Sequence, residues 1–325
     1  MVNGKKLVVS ASPHLRSKST TTGIMLDVII ALVPAFIASI CIFGPRALCV
    51  TAVCVASAVL AEYISRKAMK RHQTIGDLSA IVTGIILAFN LPVSIPYWIA
   101  AIGSVVAIVV VKQFFGGIGQ NFANPAITAR IVLLLSFGPQ MGNWVTPLSW
   151  KETVTTSATP LAVGYGNEGA ASMLDMFLGL RGGSLGETCA LALIIGGIYL
   201  IARKVISPII PLTYIGTVAV CMFIKGGADL GFVAYQLMGG GLLLGAIFMA
   251  TDYSTSPINS KGKIIFGIGC GLLTSVIRIF TPMAEGVSFA ILIMNLLVSY
   301  IERLTTLKPF GTPKKEKKSK EEAKA

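Results

Sequence analysis

Apolar residues fall in long blocks along most of this 325-residue chain, with short polar segments between them. About twenty apolar residues make one bilayer crossing. The blocks predict ten crossings, near 24–43, 47–64, 78–91, 97–115, 123–137, 188–203, 208–224, 232–250, 263–281 and 286–303. Those near 78–91 and 123–137 are short, and Asn124-Pro125 opens the second, which predicts broken helices or helices packed against protein. Between 138 and 187 the pattern lapses, with no sustained period of either kind. The expected fold is an all-α polytopic membrane protein with about ten transmembrane helices and a large extracytoplasmic loop at its centre. Five spans on each side of the loop run equivalent helices in opposite directions, which is the arithmetic of two inverted five-helix repeats. Gly84–Pro92 and Gly245–Ser254 hold corresponding places in the two halves. The organisation is then an N-terminal segment 1–23, a first membrane half 24–137, the loop 138–187, a second half 188–303 and a basic tail 304–325.

Composition agrees with the pattern. At 54% hydrophobic, 13% charged and a mean hydropathy of +0.78, the chain has more apolar surface than one soluble core buries. The first apolar run follows a basic leader without a cleavage site and reads as a retained span. Cysteines at 41, 49, 54, 189, 221 and 270 form no Cys-x-x-Cys pair, so neither a disulfide framework nor a metal site is expected. His14 and His72 lie outside the spans, which argues against paired haem ligation in the bilayer.

Lys and Arg orient the chain, because they are retained on the cytoplasmic side. One set of segments holds Lys5, Lys6, Arg16, Lys18, Arg66, Lys67, Lys70, Arg71, Lys112, Arg203, Lys204, Lys261, Lys263 and the tail; the other holds Arg46, Lys151, Arg181, Lys225 and Arg278. Both termini are therefore expected in the cytoplasm and the 138–187 loop outside. The net charge of +13 is this bias plus the tail, and implies no nucleic-acid partner. Glycine clusters at Gly116-Gly117-x-Gly119, Gly196-Gly197 and Gly239-Gly240-Gly241 suit close helix approach; none follows a strand or carries a P-loop pattern.

Ionisable residues in or beside the spans are functional candidates by default. Glu62 and Arg278 lie near span ends, where snorkelling to the headgroups is the cheaper explanation. Asp27 and Arg130 are open between an ion path and structural pairing. Asp77 and Asp252 flank spans beside Ser/Thr-rich segments; each either caps a helix or, with Asn124, helps hold a second ligand or ion between the halves. In the loop, Thr155-Thr156-Ser157-Ala158-Thr159-Pro160-Leu161-Ala162 is hydroxyl-rich. Ser157 and Ala158 leave little cover over the Thr159 hydroxyl and Pro160 stiffens the chain after it, while the plainer reading is a solvated turn.

Several motifs agree with one family. They are Ser12-Pro13-His14, Thr21-Thr22-x-Ile24-Met25-x-Asp27-Val28, Ala31-Leu32-x-Pro34-Ala35, Asp77-x-Ser79-Ala80-x-Val82-Thr83-Gly84 and Leu91-Pro92. Gly116-Gly117-x-Gly119-x-Asn121-x-Ala123-Asn124-Pro125-Ala126, Met249 to Pro257, and Ser157-Ala158-Thr159-Pro160-Leu161 complete the set. On these the chain resembles the D subunits of the Rnf ion-translocating ferredoxin:NAD oxidoreductase complexes and, with a shorter leader, the B subunits of the sodium-pumping NADH:quinone reductase. The resemblance implies a bacterial cytoplasmic-membrane flavoprotein with FMN joined to Thr159 by a phosphoester, attached outside the cytoplasm by a flavin transferase. Thr159 is then a tether, and no residue of this chain is catalytic alone.

It also implies a non-covalent riboflavin and electron relay coupled to Na+ or H+ transport. The implied partners are a membrane-anchored G subunit with its own FMN, the small membrane A and E subunits, the iron–sulfur B subunit and the NADH-binding C subunit. The usual attachment pattern has Asp six residues before the Thr and Gly two before it, where this chain has Thr153 and Ser157. A passive channel or solute transporter of similar inverted-repeat fold, or a scaffold without its flavin, is the alternative.

Overall fold

The structure, a computed structural model, describes residues 20–151, 158–167, 170–281 and 286–306. The first half contains α1 (Thr21–Phe43), α2 (Pro45–Ala68), α3 (Ser79–Phe89), α4 (Tyr97–Gln113) and α5 (Pro125–Ser136). The connecting loop carries three short helices, α6 (Gly138–Met141), α7 (Pro160–Val163) and α8 (Met173–Leu178). The second half contains α9 (Ala190–Ala202), α10 (Ile209–Lys225), α11 (Leu230–Met238), α12 (Leu242–Met249), α13 (Ser260–Phe280) and α14 (Val287–Leu304). No strand occurs among the described residues.

Local chemistry sets the boundaries. The Thr20 hydroxyl accepts from Gly23 N at 3.1 Å and caps α1. Gly44, at φ +77°, turns the chain sharply into α2, whose first helical residue is Pro45. Asn124 caps α5, its Oδ1 accepting from Ala126 N at 3.0 Å and Ile127 N at 3.3 Å. The last turns of α4, Val106–Gln113, and of α12, Gly245–Met249, are π-helical. Such stretches recur at functional sites, and both border the same cavity.

A helix occupies each of the ten predicted segments, but length separates them. Four, α1, α2, α13 and α14, are long and apolar enough to cross a membrane; α11 and α12 together make a fifth, bent by 67°. The shorter apolar helices have 10–17 residues. At a rise of 1.5 Å per residue, α3 covers about 17 Å of a hydrocarbon core about 30 Å thick. The block expected at 78–91 overran α3, which ends at Phe89, because the buried Leu91 after it is as apolar as the helix. The described residues are thus all-helical with four or five candidate spans, consistent with a polytopic membrane protein.

Glycine decides how closely several helices pack. A Cβ on Gly196 of α9 would fall on the Ala31 carbonyl of α1, and one on Gly84 of α3 would lie 2.9 Å from Val55 Cα of α2. Along α13, Gly267 and Gly271 face Thr213 and Thr217 of α10, a small-xxx-small contact. Outward faces are apolar: Leu26, Ile30, Val33 and Ile37 on α1, and Leu212, Val220, Phe223 and Ile224 on α10.

Candidate functional site

Two cavities with a few polar residues on their walls lie inside this apolar frame. The outer one is built from the loop. Thr159 is at the N-cap position of α7 in extended conformation, yet its hydroxyl makes no capping bond. The turn that follows is fastened to the broken helix: Tyr235 Oη donates to the Pro160 carbonyl at 2.9 Å, and Leu161 packs on Gly239. Tyr165 stacks on Tyr235, with ring centroids 5.5 Å apart. Thr159 is consequently only 8% exposed. That corrects the expectation of an uncovered hydroxyl on a solvated turn: Ala158 is exposed, but Thr159 and Pro160 are folded inward. Ser157 lies outside the described residues.

Thr159 shares a cavity of about 10 Å³ with Arg181, Gly182, Gly183, Glu187, Thr188 and Gly240. The turn supplying most of these is held to the first half, Leu185 N and Gly186 N donating to the Leu91 and Phe89 carbonyls at 3.0 Å each. Gly186 sits against the Phe89 side chain, where any Cβ would collide, and Gly241 leaves room for the Glu187 carboxylate. Glu187, 2% exposed, pairs with Arg130 at 3.1 Å. Arg130 also donates to Asn90 Oδ1 at 2.9 Å and Ser288 Oγ at 3.1 Å, which joins α5, the end of α3, the loop and α14.

The inner site is a cavity of about 380 Å³ bordered by both halves. Its wall includes Ile24 and Val28 of α1, Ser79 and Thr83 of α3, Lys112 of α4, Asn121, Asn124, Phe248 and Asp252. This volume is in the range of small-molecule sites. Asn121 Oδ1 is buried there with no hydrogen-bond partner among the described residues. Asn124 Nδ2 donates to the Met249 carbonyl at 3.1 Å, tying α5 to α12. Asp252 accepts from Ser254 Oγ at 3.0 Å and Thr255 Oγ1 at 3.1 Å, and burial raises its carboxyl above the usual value near 3.8. It therefore closes its own turn and caps no helix; α13 begins instead at Asn259.

Other expectations are corrected. Glu62 does not snorkel: at 1% exposure it receives Lys112 Nζ at 3.0 Å, Gln113 Nε2 at 2.9 Å and Thr74 Oγ1 at 3.1 Å. Lys112, assigned from sequence to a cytoplasmic segment, is 2% exposed and also reaches Ser79 Oγ at 2.7 Å. A buried pair of opposite charges meets the desolvation cost that each alone would incur. Arg278 donates to the carbonyls of Gln236 at 2.7 Å and Gly239 at 3.1 Å, satisfying backbone freed by the break between α11 and α12 instead of reaching headgroups. Asp77 caps nothing, since Leu78 holds the N-cap position of α3 without a side-chain bond. Asp27 and Arg130 do not meet: Asp27 accepts from Tyr199 Oη at 2.9 Å and lies 3.3 Å from Arg203 Nε, a structural pairing of α1 with α9.

A family model described as the NQR2, RnfD, RnfE family matches residues 8–311. The chain belongs to that family. It is 47% identical over 98% of its length to the whole of the D subunit of the Na(+)-translocating ferredoxin:NAD(+) oxidoreductase complex of Acetobacterium woodii. It is 40% identical, over 94% of its length and 96% of the relative, to the D subunit of the proton-translocating ferredoxin:NAD(+) oxidoreductase complex of Clostridium ljungdahlii. A third relative, the D subunit of the ion-translocating oxidoreductase complex of Stutzerimonas stutzeri, is 37% identical over 90% of this chain and 93% of its own.

Sequence reasoning passed over Glu187, Asn90 and Ser288, and it singled out Glu62 and placed Lys112 without pairing them. Glu187 carried one legible signal, an acidic residue directly before an apolar block. Lys112 carried another, a single cation at the end of an apolar run and just ahead of a glycine pair. Neither spacing says which partner each charge meets.

Proposed function

We propose that this chain is the membrane D subunit of an ion-translocating ferredoxin:NAD+ oxidoreductase complex, carrying FMN covalently on Thr159 and relaying electrons between partner redox subunits. Identity to named D subunits along essentially the whole chain supports the complex. The observation that carries the tether is Thr159 itself, a hydroxyl not engaged in capping, set beside the Arg181 turn. FMN, when bound, supplies one- and two-electron transfer. The residues present suit it: Thr159 offers the ester oxygen, Pro160 and the Tyr235 hydroxyl fix the backbone after it, and the cavity is too small for a ring system, which leaves the ring outside the fold.

The inner cavity is proposed to hold a second, non-covalent flavin of the riboflavin type. Its volume, the unpartnered Asn121 Oδ1 and the presence of Asp252 on its wall support this. Of the ion-path candidates, Asp27 pairs with Tyr199 and Arg203 and Arg130 pairs with Glu187, which favours structural roles for both and leaves Asp77 as the proposed candidate. Ten crossings in two inverted repeats, cytoplasmic termini and an extracytoplasmic Thr159 complete the proposal, supported by a helix in every predicted segment and by the Lys/Arg bias. The other Rnf-type subunits, G, A, E, B and C, and a flavin transferase are the proposed partners in a bacterial cytoplasmic membrane. The coupling ion stays Na+ or H+, since relatives named for each are similar to this chain. Family membership disfavours a passive channel.

In-gel flavin fluorescence of the denatured chain, made with the transferase, tests the reading. Wild type is expected to fluoresce and Thr159→Ala to be dark; a dark wild type, or a fluorescent variant, contradicts it.

A further inference from the structure

Arg181-Gly182-Gly183-Ser184 follows α8 and comes beside Thr159 through its first three residues. Arg181 is 5% exposed, and its guanidinium is held from three directions: Nε on the Thr188 carbonyl at 3.2 Å, Nη2 on the Glu187 carbonyl at 2.9 Å and Nη1 on Met176 Sδ at 3.3 Å. Those bonds fix its orientation, and an arginine keeps its charge at any accessible pH. The next three main-chain N–H groups, of Gly182, Gly183 and Ser184, donate no hydrogen bond among the described residues. The Ser184 hydroxyl is also buried without a partner. Gly182 and Ser184 are buried and Gly183 is half-buried; buried backbone donors are almost always paired, so these successive N–H groups beside a fixed guanidinium leave a set of donors awaiting an acceptor. Arg181, Gly182 and Gly183 line one small cavity with Thr159. Glycine at 182 and 183 keeps side chains from shielding those N–H groups.

This donor set matches one chemistry. Arginine together with consecutive backbone N–H groups is how proteins hold phosphate oxygens. We propose that the Arg181–Ser184 turn is the binding site for the phosphate that joins flavin to Thr159, with Arg181 as its counter-ion and the Gly182 and Gly183 amides as its hydrogen-bond donors. The inference rests on the FMN reading above and adds the residues that receive the phosphate. Attachment needs an activated donor of the flavin dinucleotide class. The Thr159 oxygen forms a bond to the flavin-side phosphorus and gives up its proton, the pyrophosphate P–O bond breaks, and a nucleoside monophosphate leaves. Nothing is oxidised or reduced. The product is a phosphodiester with one negative charge. The cavity of about 10 Å³ is no larger than one water. The α7 turn, held by the Tyr235 hydroxyl and the Leu161–Gly239 contact, must therefore shift as the phosphate takes its place.

A phosphate bound by its own chain stabilises that chain; a phosphate left in solvent does not. The full-length protein is purified in detergent from hosts with and without the transferase, and the Tm of each form is compared. Flavinylation is expected to raise the wild-type Tm by about 2 °C or more, with the gain retained at high salt because the contact is buried. In Arg181→Gln the gain is expected to vanish relative to that variant's own unflavinylated form, and Arg181→Lys is expected to keep part of it. A flavinylated wild type with no gain in Tm overturns the assignment without recourse to any variant, as does an undiminished gain in Arg181→Gln. A wild type that takes up no flavin contradicts the underlying FMN reading instead.

Discussion

Lys112 and Glu62 are 2% and 1% exposed with 3.0 Å between them, and buried Arg66 Nε lies 3.8 Å from the same carboxylate, so removing Lys112 leaves Glu62 only its more distant partner, while removing Glu62 strands two cations. Breaking a buried pair by removing one partner costs about 3–5 kcal/mol, whereas replacing both is close to neutral. Lys112→Met is therefore expected to lower stability in detergent by up to roughly that amount, and Lys112→Met with Glu62→Gln to recover only part of it, because Arg66 then loses its carboxylate, as read by thermal unfolding. Equal losses in the single and double variants would show that the pair contributes nothing as a pair. Asp252 makes a pH prediction. Its folded carboxyl titrates above the unfolded value near 3.8, so over that window the native state holds more protons than the unfolded one. Its contribution to stability falls as pH rises from about 3.8 through the raised folded value, and Asp252→Asn is expected to flatten that slope. Sequence placed all of these residues but paired none, because a charge near a span end has the same local signature whether it snorkels or meets a partner far along the chain. Thr159 shows the same limit. Its neighbours suggested exposure, and the tyrosine that folds its turn inward lies 75 positions after Pro160.

Among elements, the break between α11 and α12 does the most to place the outer site. Gly239-Gly240-Gly241 was legible as a close-packing cluster, and each glycine meets a different requirement. Gly239 seats Leu161, Gly240 takes φ +61°, and a Cβ on Gly241 would lie 2.7 Å from Glu187 Oε1. Gly241→Val is expected to cost about 1–3 kcal/mol through overpacking. It also pushes Glu187 from Arg130, so thermal unfolding is expected to show a loss that is smaller in a Glu187→Ala background. A loss of the same size in both backgrounds would separate the glycine from the carboxylate. Element existence was legible almost throughout, since apolar blocks near 20 residues make helices wherever backbone groups must satisfy themselves. Element length was not: hydropathy does not distinguish a helix from the buried turn after it, and α3 stops at Phe89 although the apolar run continues through Leu91.

At the scale of the molecule, residues from before and after the connecting loop line one cavity, and the loop carries Thr159 beside a second, smaller one. This arrangement gives the proposed electron carrier two sites within one chain. The Lys/Arg bias further predicts that an impermeant thiol reagent added outside labels Asn167→Cys but not Thr306→Cys in a background without native cysteines; the opposite pattern would invert the topology. The Glu187–Arg130–Asn90 network meets the smaller cavity at Glu187 and was beyond the reach of sequence, because its members come from segments as distant as Asn90 and Ser288. Everything proposed for the outer site depends on the flavin tether. Peptide mass spectrometry of the protein purified from its native membrane reads that bond itself: the peptide spanning Thr159 is expected to carry the mass of FMN less one water, with fragmentation that places the addition on Thr159. An unmodified Thr159 peptide in membranes with an assembled, active complex, or flavin on another residue, would refute the tether.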